Sequence, residues 1–493
     1  MDAAKPKRLF FRRDRALRLD ETIAREPRET TTMMMTGEQY RQSLNDGRKV
    51  YLEGDLVGDL AAHPVFKVPV DLQASLYDRH YDPRPEAVRD TIRTIGSKEE
   101  LREHAEEADE RDILLAVTSA SMMTLLTAAD RIEAVLPDNA ARIRAWVKDA
   151  QERDVRIVQC ITDAKGDRSK RPSQQDDPDA YVHVVARRPD GVVIRGAKLH
   201  ITAASLSHEL MTIPTKAMKP GEDDYSIACM VPANAPGVKI VDVDYAPRHK
   251  DQRRFPISSR KHMPDSFVIF DDVFVPNERI FLDGHPELAA TFAHSLGLWE
   301  RIGGLAGMAR SFDALTGFAQ LIAESNGLEK VAHIKEKISG MLINATLVRA
   351  CLDAAIDQCT FTSEGAAIPH ELYTNAGKYY GAANYPNMVR DLHDIAGGSV
   401  QTAPSIADLE NEDVGYLIRK YMGTKQSVDG AYRTKLFHAI YDYTGGAGGT
   451  WAAIANLQSG GGLYAQRIVT AGRYDMDAAK KLALKVAQIA EPA

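Results

Sequence analysis

The spacing of apolar positions changes twice along the chain. From Ser97, acidic and basic residues surround apolar stretches that continue through Leu125 and Leu126, Ile132 and on to Trp146, the spacing of helices. After about Asp154 the period shortens. Tyr181, Val182, Val184 and Val185, the turn Arg188-Pro189-Asp190-Gly191, then Val192, Val193 and Ile194 predict a hairpin, because proline presets one turn dihedral and glycine accepts a positive φ. Residues 226–231, 237–243 and 266–275 continue as short strands bounded by Pro, Gly, Asp or Asn. Beyond about Leu288 helical spacing returns, with Val331, Ile334, Ile338, Met341 or Leu342, Ala345 and Val348 on one buried face.

These switches predict a mobile extension over 1–35, an N-terminal helical domain over 36–154, a middle β domain over 155–287 and a C-terminal helical bundle over 288–493. The extension ends in the run Thr30-Thr31-Thr32-Met33-Met34-Met35, and Thr36 with Gln39 fits a capping box that opens the first helix. No G-x-G-x-x-G follows a first strand, so a Rossmann enzyme is excluded.

Composition narrows the partners. With 493 residues, 44% of them hydrophobic, the chain can bury a large core; a net charge of -7 favours neither a nucleic-acid backbone nor an anionic membrane, leaving small molecules. Apolar stretches such as Ile113 to Val117 and Met122 to Leu126 are too short to span a bilayer. Arg12 and Arg13 are followed by Asp14, Arg15 and Arg18 where a signal peptide needs apolar residues. Cys160, Cys229, Cys351 and Cys359 are scattered, the last two being read as two turns apart on one helix, and all four as reduced thiols. The expected location is the cytoplasm.

Four places carry candidate chemistry. The loop Thr162, Asp163, Ala164, Lys165, Gly166, Asp167 and Arg168 has the glycine and mixed donors to hold a pyrophosphate or a ring edge, the alternative being an ordinary polar turn. The run ending in Thr202 and Ala203 offers a hydroxyl at a strand end, or simply a β-branched strand residue. His208 and Glu209 read as structural polar residues. Asp394 with Gly397 and Gly398 marks either a close backbone approach or a plain helix stop.

Together with Phe270 to Arg279 and the glycines at 445–449 and 460–462 before Ala465-Gln466-Arg467, these segments resemble the 4-hydroxyphenylacetate 3-hydroxylase and 4-hydroxybutyryl-CoA dehydratase flavoproteins over most of the chain after about residue 37. The resemblance implies an α+β, acyl-CoA dehydrogenase-like fold: N-terminal helical domain, middle β-barrel domain, C-terminal helical bundle. It implies FAD, wrapped by Thr162, Asp163, Lys165, Gly166, Asp167 and Arg168, with Thr202 and Ala203 beside the reactive ring nitrogen. Asp394, Gly397 and Gly398 would approach FAD bound mainly by a neighbouring subunit of a homotetramer.

The branch is set by what is missing. The dehydratases hold an iron–sulfur cluster through C-x-x-x-C, a histidine and a later cysteine, since soft thiolates suit iron. Here Val117 to Met123 has no cysteine, His294 matches the histidine, and Glu300 or Arg301 stands where the last cysteine belongs. Ala455 replaces that branch's glutamate, Asp265 stands at another of its carboxylate positions, and the hydroxylase branch's substrate-binding Arg and Tyr are absent from Thr118 to Met123 as well. The resemblance then implies a monooxygenase using reduced FAD from a separate flavin reductase, with Thr202 and His294 as catalytic residues, a small-molecule substrate and no metal. A cluster-free enzyme acting on an acyl-CoA thioester and a non-catalytic flavin-binding scaffold are the alternatives. Arg301 is either an anchor for an anionic substrate or a solvated helix charge.

Overall fold

A computed structural model describes residues 34–84, 86–106, 112–247, 251–425 and 427–490. The expected extension, apart from Met34 and Met35, lies outside the described residues. The first helix, α1 (Gly37–Ser43), opens with the capping box on Thr36 and Gln39. It is followed by strands β1 (Val50–Leu52) and β2 (Asp55–Val57) and helices α2 (Lys67–Arg79), α3 (Lys98–Glu106), α4 (Ile113–Ile132) and α5 (Pro137–Glu152). Pro137 separates the last two, because its ring fits only the first turn of a helix.

The middle region contains β3 (Ile157–Cys160), β4 (His183–Arg188), β5 (Gly191–Thr202), β6 (Glu209–Thr212), β7 (Ala228–Pro232), β8 (Val238–Val243), β9 (Asp265–Pro276) and β10 (Ile280–Leu282). They form two open sheets in the orders β2-β1-β8-β9-β5-β4 and β10-β7-β6-β3. The expected barrel is therefore corrected to two facing layers. Val158, Leu210 and Val231 of the smaller sheet share one core with Ile194, Val268 and Phe270 of the larger. Closing a barrel would require edge strands to pair, and the isolated bridge from Asp163 to Lys198 is too short to do so. The larger sheet also recruits β1 and β2 from the N-terminal region, β1 lying parallel to β8.

The remaining chain is helical: α6 (Pro286–Asn326), α7 (Ala332–Asp357), α8 (Glu371–Ala396), α9 (Ser399–Thr402), α10 (Ile406–Glu410), α11 (Gly415–Met422), α12 (Gly430–Thr444), α13 (Ala447–Gln458), α14 (Leu463–Arg473) and α15 (Met476–Ala487), with the small hairpin β11 (Thr360–Phe361) and β12 (Ala367–Ile368) between α7 and α8. On α7, Ile334, Met341, Ala345 and Val348 are buried as the spacing predicts, and Met341 rather than Leu342 faces inward. Cys359 falls just beyond the end of α7, so it does not share a helix with Cys351. By length and composition alone α4 and α7 could each cross a bilayer, which the interrupted sequence did not suggest; α4 buries most of that surface inside the protein.

Candidate functional site

The end of β5 is built around a hydrogen-bonded chain. Thr202 pairs across the sheet with Asp265, the first residue of β9. Its hydroxyl donates to Asp265 Oδ1 at 2.5 Å, and Asp265 Oδ2 accepts from Trp451 Nε1 of α13 at 2.7 Å. The indole stacks on Tyr245, with ring centroids 5.8 Å apart. Sheet and bundle thus meet at one carboxylate. A bulge between Lys198 and Ile201, with His200 at φ 60°, re-aims the strand just before Thr202. Ala203 follows at φ 62°, a left-handed conformation that costs a residue with a Cβ about 1–2 kcal/mol. Ala203 itself is buried and its N–H donates to Pro264 O at 2.7 Å, so it has no free donor for a ligand.

The loop after β3 divides into structural and open parts. Asp163 is buried: its Oδ1 accepts from Val182 N at 2.9 Å and lies 2.8 Å from Lys198 Nζ. Lys198 also donates to the carbonyls of Ile161 and Ile213. This pair fixes the loop against the hairpin, so the Asp163 side chain serves the loop from within. Asp167 closes a local turn through Ser169. Gly166 has φ 49°, a conformation that strains a residue carrying a Cβ. Thr162 accepts from Leu199 N through its carbonyl and leaves its hydroxyl without a hydrogen bond among the described residues. Lys165, with Arg168, Lys198 and Lys216 around it, is held below the usual lysine range by partial burial first and then by Arg168. A crowd of cations on glycine-bearing backbone suits a pyrophosphate.

His294 lies exposed on α6, and partial burial, then Arg131 and Arg301, lower its pKa. Around it, Arg131 Nη2 donates to Glu371 Oε1 at 2.5 Å, and Arg473 donates to the other oxygen of the same carboxylate. Arg301 is no solvated charge: it is 6% exposed, donates to Gly460 O and Asn375 Oδ1 at 2.8 Å each, and burial lowers its pKa to about 10. One turn along α8 from Asn375, Lys378 is fully buried, donates to Asn456 O at 2.6 Å and has its pKa lowered to about 8 by burial and Arg301. Burial raises the pKa of the neighbouring Glu300.

Sequence reasoning missed Lys378, Arg131, Glu371, Arg473 and Trp451. Lys378 was accessible to it, because Thr374, Gly381, Tyr385 and Met388 recur on the same helical face and are all buried. The others become neighbours only through tertiary packing.

Gly397 and Gly398 sit at the exposed end of α8, where a Cβ on either would meet nothing within 4 Å. Asp394 pairs with Lys337 of α7. From Glu371 to Asp394 the helix advances roughly 35 Å at 1.5 Å per residue. Glu371, a charged neighbour of His294, and the glycine turn are therefore separated by nearly the full length of α8. Two pockets, of about 200 Å³ beside Arg144 and Glu364 and about 130 Å³ beside Asp90 and His104, contain none of the predicted site residues.

His208, read as structural, is so. Its Nδ1 accepts from Arg156 N at 2.8 Å, which leaves Nε2 to donate to Ser43 Oγ at 2.8 Å. Burial, then Arg48 and Arg156, hold its pKa well below the ordinary value. The neutral ring is thus the folded form, and below about pH 6.5 the unfolded chain takes up a proton that the folded chain refuses. Stability is complete above that pH and is expected to fall by up to about 1.4 kcal/mol per pH unit below it from this residue. In urea titrations from pH 7.5 to 5, His208→Asn should show a shallower slope, while equal slopes would remove His208 as the source. Glu209, paired with Arg279 and Arg153, is structural too.

Among the described residues no group of three or more His, Cys, Asp or Glu could hold a metal ion. Residues 36–282 match the family model described as 4-hydroxyphenylacetate 3-hydroxylase N terminal, and residues 289–488 match the C-terminal counterpart. The chain is 27% identical to a 4-hydroxybutyryl-CoA dehydratase/vinylacetyl-CoA-Delta-isomerase of Clostridium aminobutyricum, over 93% of this chain and 100% of that protein. It is 26% identical to the oxygenase component of 4-hydroxyphenylacetate 3-monooxygenase from Geobacillus sp., over 83% of this chain and 87% of that protein. Among solved structures, an oxygen-tolerant 4-hydroxybutyryl-CoA dehydratase from N. maritimus superposes with a TM-score of 0.83 at 26% identity, covering 93% of this chain and 96% of the other. The oxygenase component of 4-hydroxyphenylacetate 3-monooxygenase complexed with FAD superposes at 0.80 with 24% identity, covering 92% and 99%, a likeness of fold.

Proposed function

Because this chain belongs to the 4-hydroxyphenylacetate 3-hydroxylase family through both its N-terminal and its C-terminal parts, we propose that it is the oxygenase component of a two-component monooxygenase, taking reduced FAD from a separate reductase and acting on a small organic substrate. The observation that carries this reading is the chain from Thr202 through Asp265 to Trp451. Reduced FAD, when bound, supplies the oxygen-activating chemistry. Thr202 has its own proton committed to Asp265, so its oxygen is left as an acceptor, which suits a ring N–H rather than a bare ring nitrogen. Trp451 holds Asp265 still and so fixes the direction of that lone pair. Lys165 and Arg168 balance the pyrophosphate charge, and the Thr162 hydroxyl is available beside them.

The exposed turn at Gly397 and Gly398, where a Cβ on either would meet nothing within 4 Å, supports sharing of each flavin between subunits, because a cofactor held by a partner could come close to its backbone. A homotetramer would also cover Leu342, Ile343 and Leu347, the exposed apolar residues on α7.

The dehydratase likeness, which spans that relative's whole length, favours a second reading: redox-neutral or dehydrogenating chemistry on an acyl-CoA thioester without a cluster. The test is to supply reduced FAD and isotopically labelled oxygen with a panel of phenols, and separately acyl-CoA thioesters without oxygen. One labelled atom in a phenolic product is expected. Anaerobic conversion of a thioester with no net flavin oxidation would install the second reading, and a protein that binds FAD but converts nothing would be a scaffold. Thr202→Val should fold normally yet lose about tenfold or more in oxygenation, the worth of one hydrogen bond of roughly 1.4 kcal/mol, and bind reduced FAD less selectively over oxidised FAD. Unchanged turnover and unchanged selectivity would reduce Thr202 to a strand residue.

A further inference from the structure

A carboxylate taken out of water needs donors for its lone pairs. Asp442, near the end of α12, is 1% exposed, and its donors come from far along the chain. Its Oδ2 accepts from Ile257 N at 2.7 Å and Ser258 N at 2.9 Å, and its Oδ1 accepts from Ser258 Oγ at 2.5 Å. All three donors belong to residues 251–264, the stretch that leads into β9. Ser258 is itself buried, and a Cβ on Gly448 would stand 3.0 Å from the Ser258 Cβ, so the stretch lies close against the start of α13. Its other polar contacts with the bundle are more exposed. Arg253 pairs with Glu410 of α10, and Arg254 donates to Gln401 O of α9 at 3.1 Å. Exposed ion pairs contribute little, which leaves Asp442 as the firm attachment.

Asp442 also stands between the two sides of the junction at Asp265. From Ser258 the chain turns, with His262 Nδ1 donating to Ser258 O at 3.1 Å, and reaches Pro264, whose carbonyl accepts from Ala203 N at 2.7 Å, and then Asp265. In the other direction, from Asp442 itself, the chain passes Gly445 and Gly446, whose N–H groups both donate to Tyr441 O at 2.8 Å, and reaches Trp451. Trp451 then donates to Asp265. The two routes close a ring with side-chain hydrogen bonds at two corners, Ser258 with Asp442 and Trp451 with Asp265. Opening the first corner frees the second to shift.

We propose that Asp442 is a positioning residue for the Thr202 site: by pinning Ile257 and Ser258 to α12 it holds Asp265 where Trp451 reaches it, and so sets the direction in which the Thr202 hydroxyl presents its lone pair. Asp442 shares no hydrogen bond with Thr202 or Asp265 among the described residues, so it acts through the 257–265 segment. The flavin part of the claim rests on the oxygenase reading above, and the part about the bond between Asp265 and Trp451 does not. A carboxylate that only stapled the fold would, on removal, lower the melting temperature and leave that bond as it was.

The two parts are tested separately on the full-length protein. Without flavin, and with isotopically labelled tryptophan, the Trp451 indole N–H resonance, identified by its loss in Trp451→Phe, reads the bond to Asp265. Asp442→Ala is expected to shift that signal and leave those of Trp146 and Trp299 in place. Asp442→Asn should return it towards the wild-type position, because an amide oxygen still accepts from both backbone N–H groups and the Ser258 hydroxyl can turn to accept from the amide. Where Asp442→Ala does not fold, Ser258→Ala removes one of the three bonds from the other side and should shift the same signal alone. An unmoved signal in the folded variant, or a shift shared by all three tryptophans, would overturn the proposal. With FAD present, the same variant should lower the preference for reduced over oxidised flavin by about tenfold, the worth of one hydrogen bond. Combined with Thr202→Val it should lose no more than Thr202→Val alone, since residues acting through one bond do not add. Full additivity, or a loss in Thr202→Val with none at Asp442, would overturn its action on Thr202. A shifted indole signal with flavin preference unchanged in every variant, Thr202→Val included, would retire the flavin reading of Thr202 and uphold Asp442 as the residue that sets the Asp265 junction.

Discussion

Asp154→Ala is expected to cost about 3–5 kcal/mol of stability, the penalty for stripping the partner from a buried ion pair. Asp154 is 1% exposed and lies between two guanidiniums, those of Arg89 and Arg156, that are 0% exposed. Its carboxylate accepts from Arg89 Nε at 2.9 Å and Nη2 at 2.6 Å and from Met35 N at 3.0 Å, and it stands 3.5 Å from Arg156 Nη1. Arg156 has no other recourse: its three side-chain nitrogens lack hydrogen bonds among the described residues, and its main contact is the face of Tyr77, 3.9 Å from the ring centroid. Arg89, in turn, ties in the carbonyls of Tyr77 and Met35. The residue also has φ 51°, so Asp154→Gly separates charge from backbone strain. Urea unfolding should place the glycine variant close to alanine, because the charge dominates. A loss under about 1 kcal/mol for both would show that the arginines find other partners.

The second large effect is expected at the glycine turn. Gly397 has φ 80° and ψ -172°, a region essentially reserved for glycine, so any side chain there strains the backbone whether or not a ligand comes near. Gly398 is the cleaner probe. It has helical angles, φ -61° and ψ -21°, and open space around its missing Cβ within the chain. Gly398→Val should therefore leave the folded subunit as stable as before, yet lower FAD affinity by tenfold or more if the turn approaches a cofactor held by a partner subunit. Flavin titration with sedimentation on the same samples checks both halves of the claim. Full affinity in the variant, or a wild-type monomer that binds FAD fully, would remove the shared site.

The alternation around the Pro189-Asp190 turn and the stripe from Ile334 to Val348 made the hairpin and α7 legible, because each element's period is set by neighbours close in sequence. The two-layer arrangement was not legible. β1 reaches β8 across most of two domains, and nothing local in Val50 to Leu52 specifies that partner. The same limit governed the site. Thr202, Lys165 and the glycines could be found by their types and spacing, whereas Asp163 turned inward to Lys198 and Arg301 came to lie beneath Gly461 through packing that no short pattern encodes. Nor does any short pattern show that His294 has Arg131, Arg301, Glu371 and Arg473 as its charged neighbours.

The position of Trp451 gives the protein an optical reporter. Of the three tryptophans, Trp146 and Trp299 are buried in the helical layers, and Trp299 is tied to Thr127. Trp451 alone is half-buried, stacked on Tyr245 and bonded to the carboxylate that holds Thr202. The red edge of the intrinsic emission therefore belongs to the residue that joins the sheet to the bundle, and light collected there follows events at that junction without any label being added.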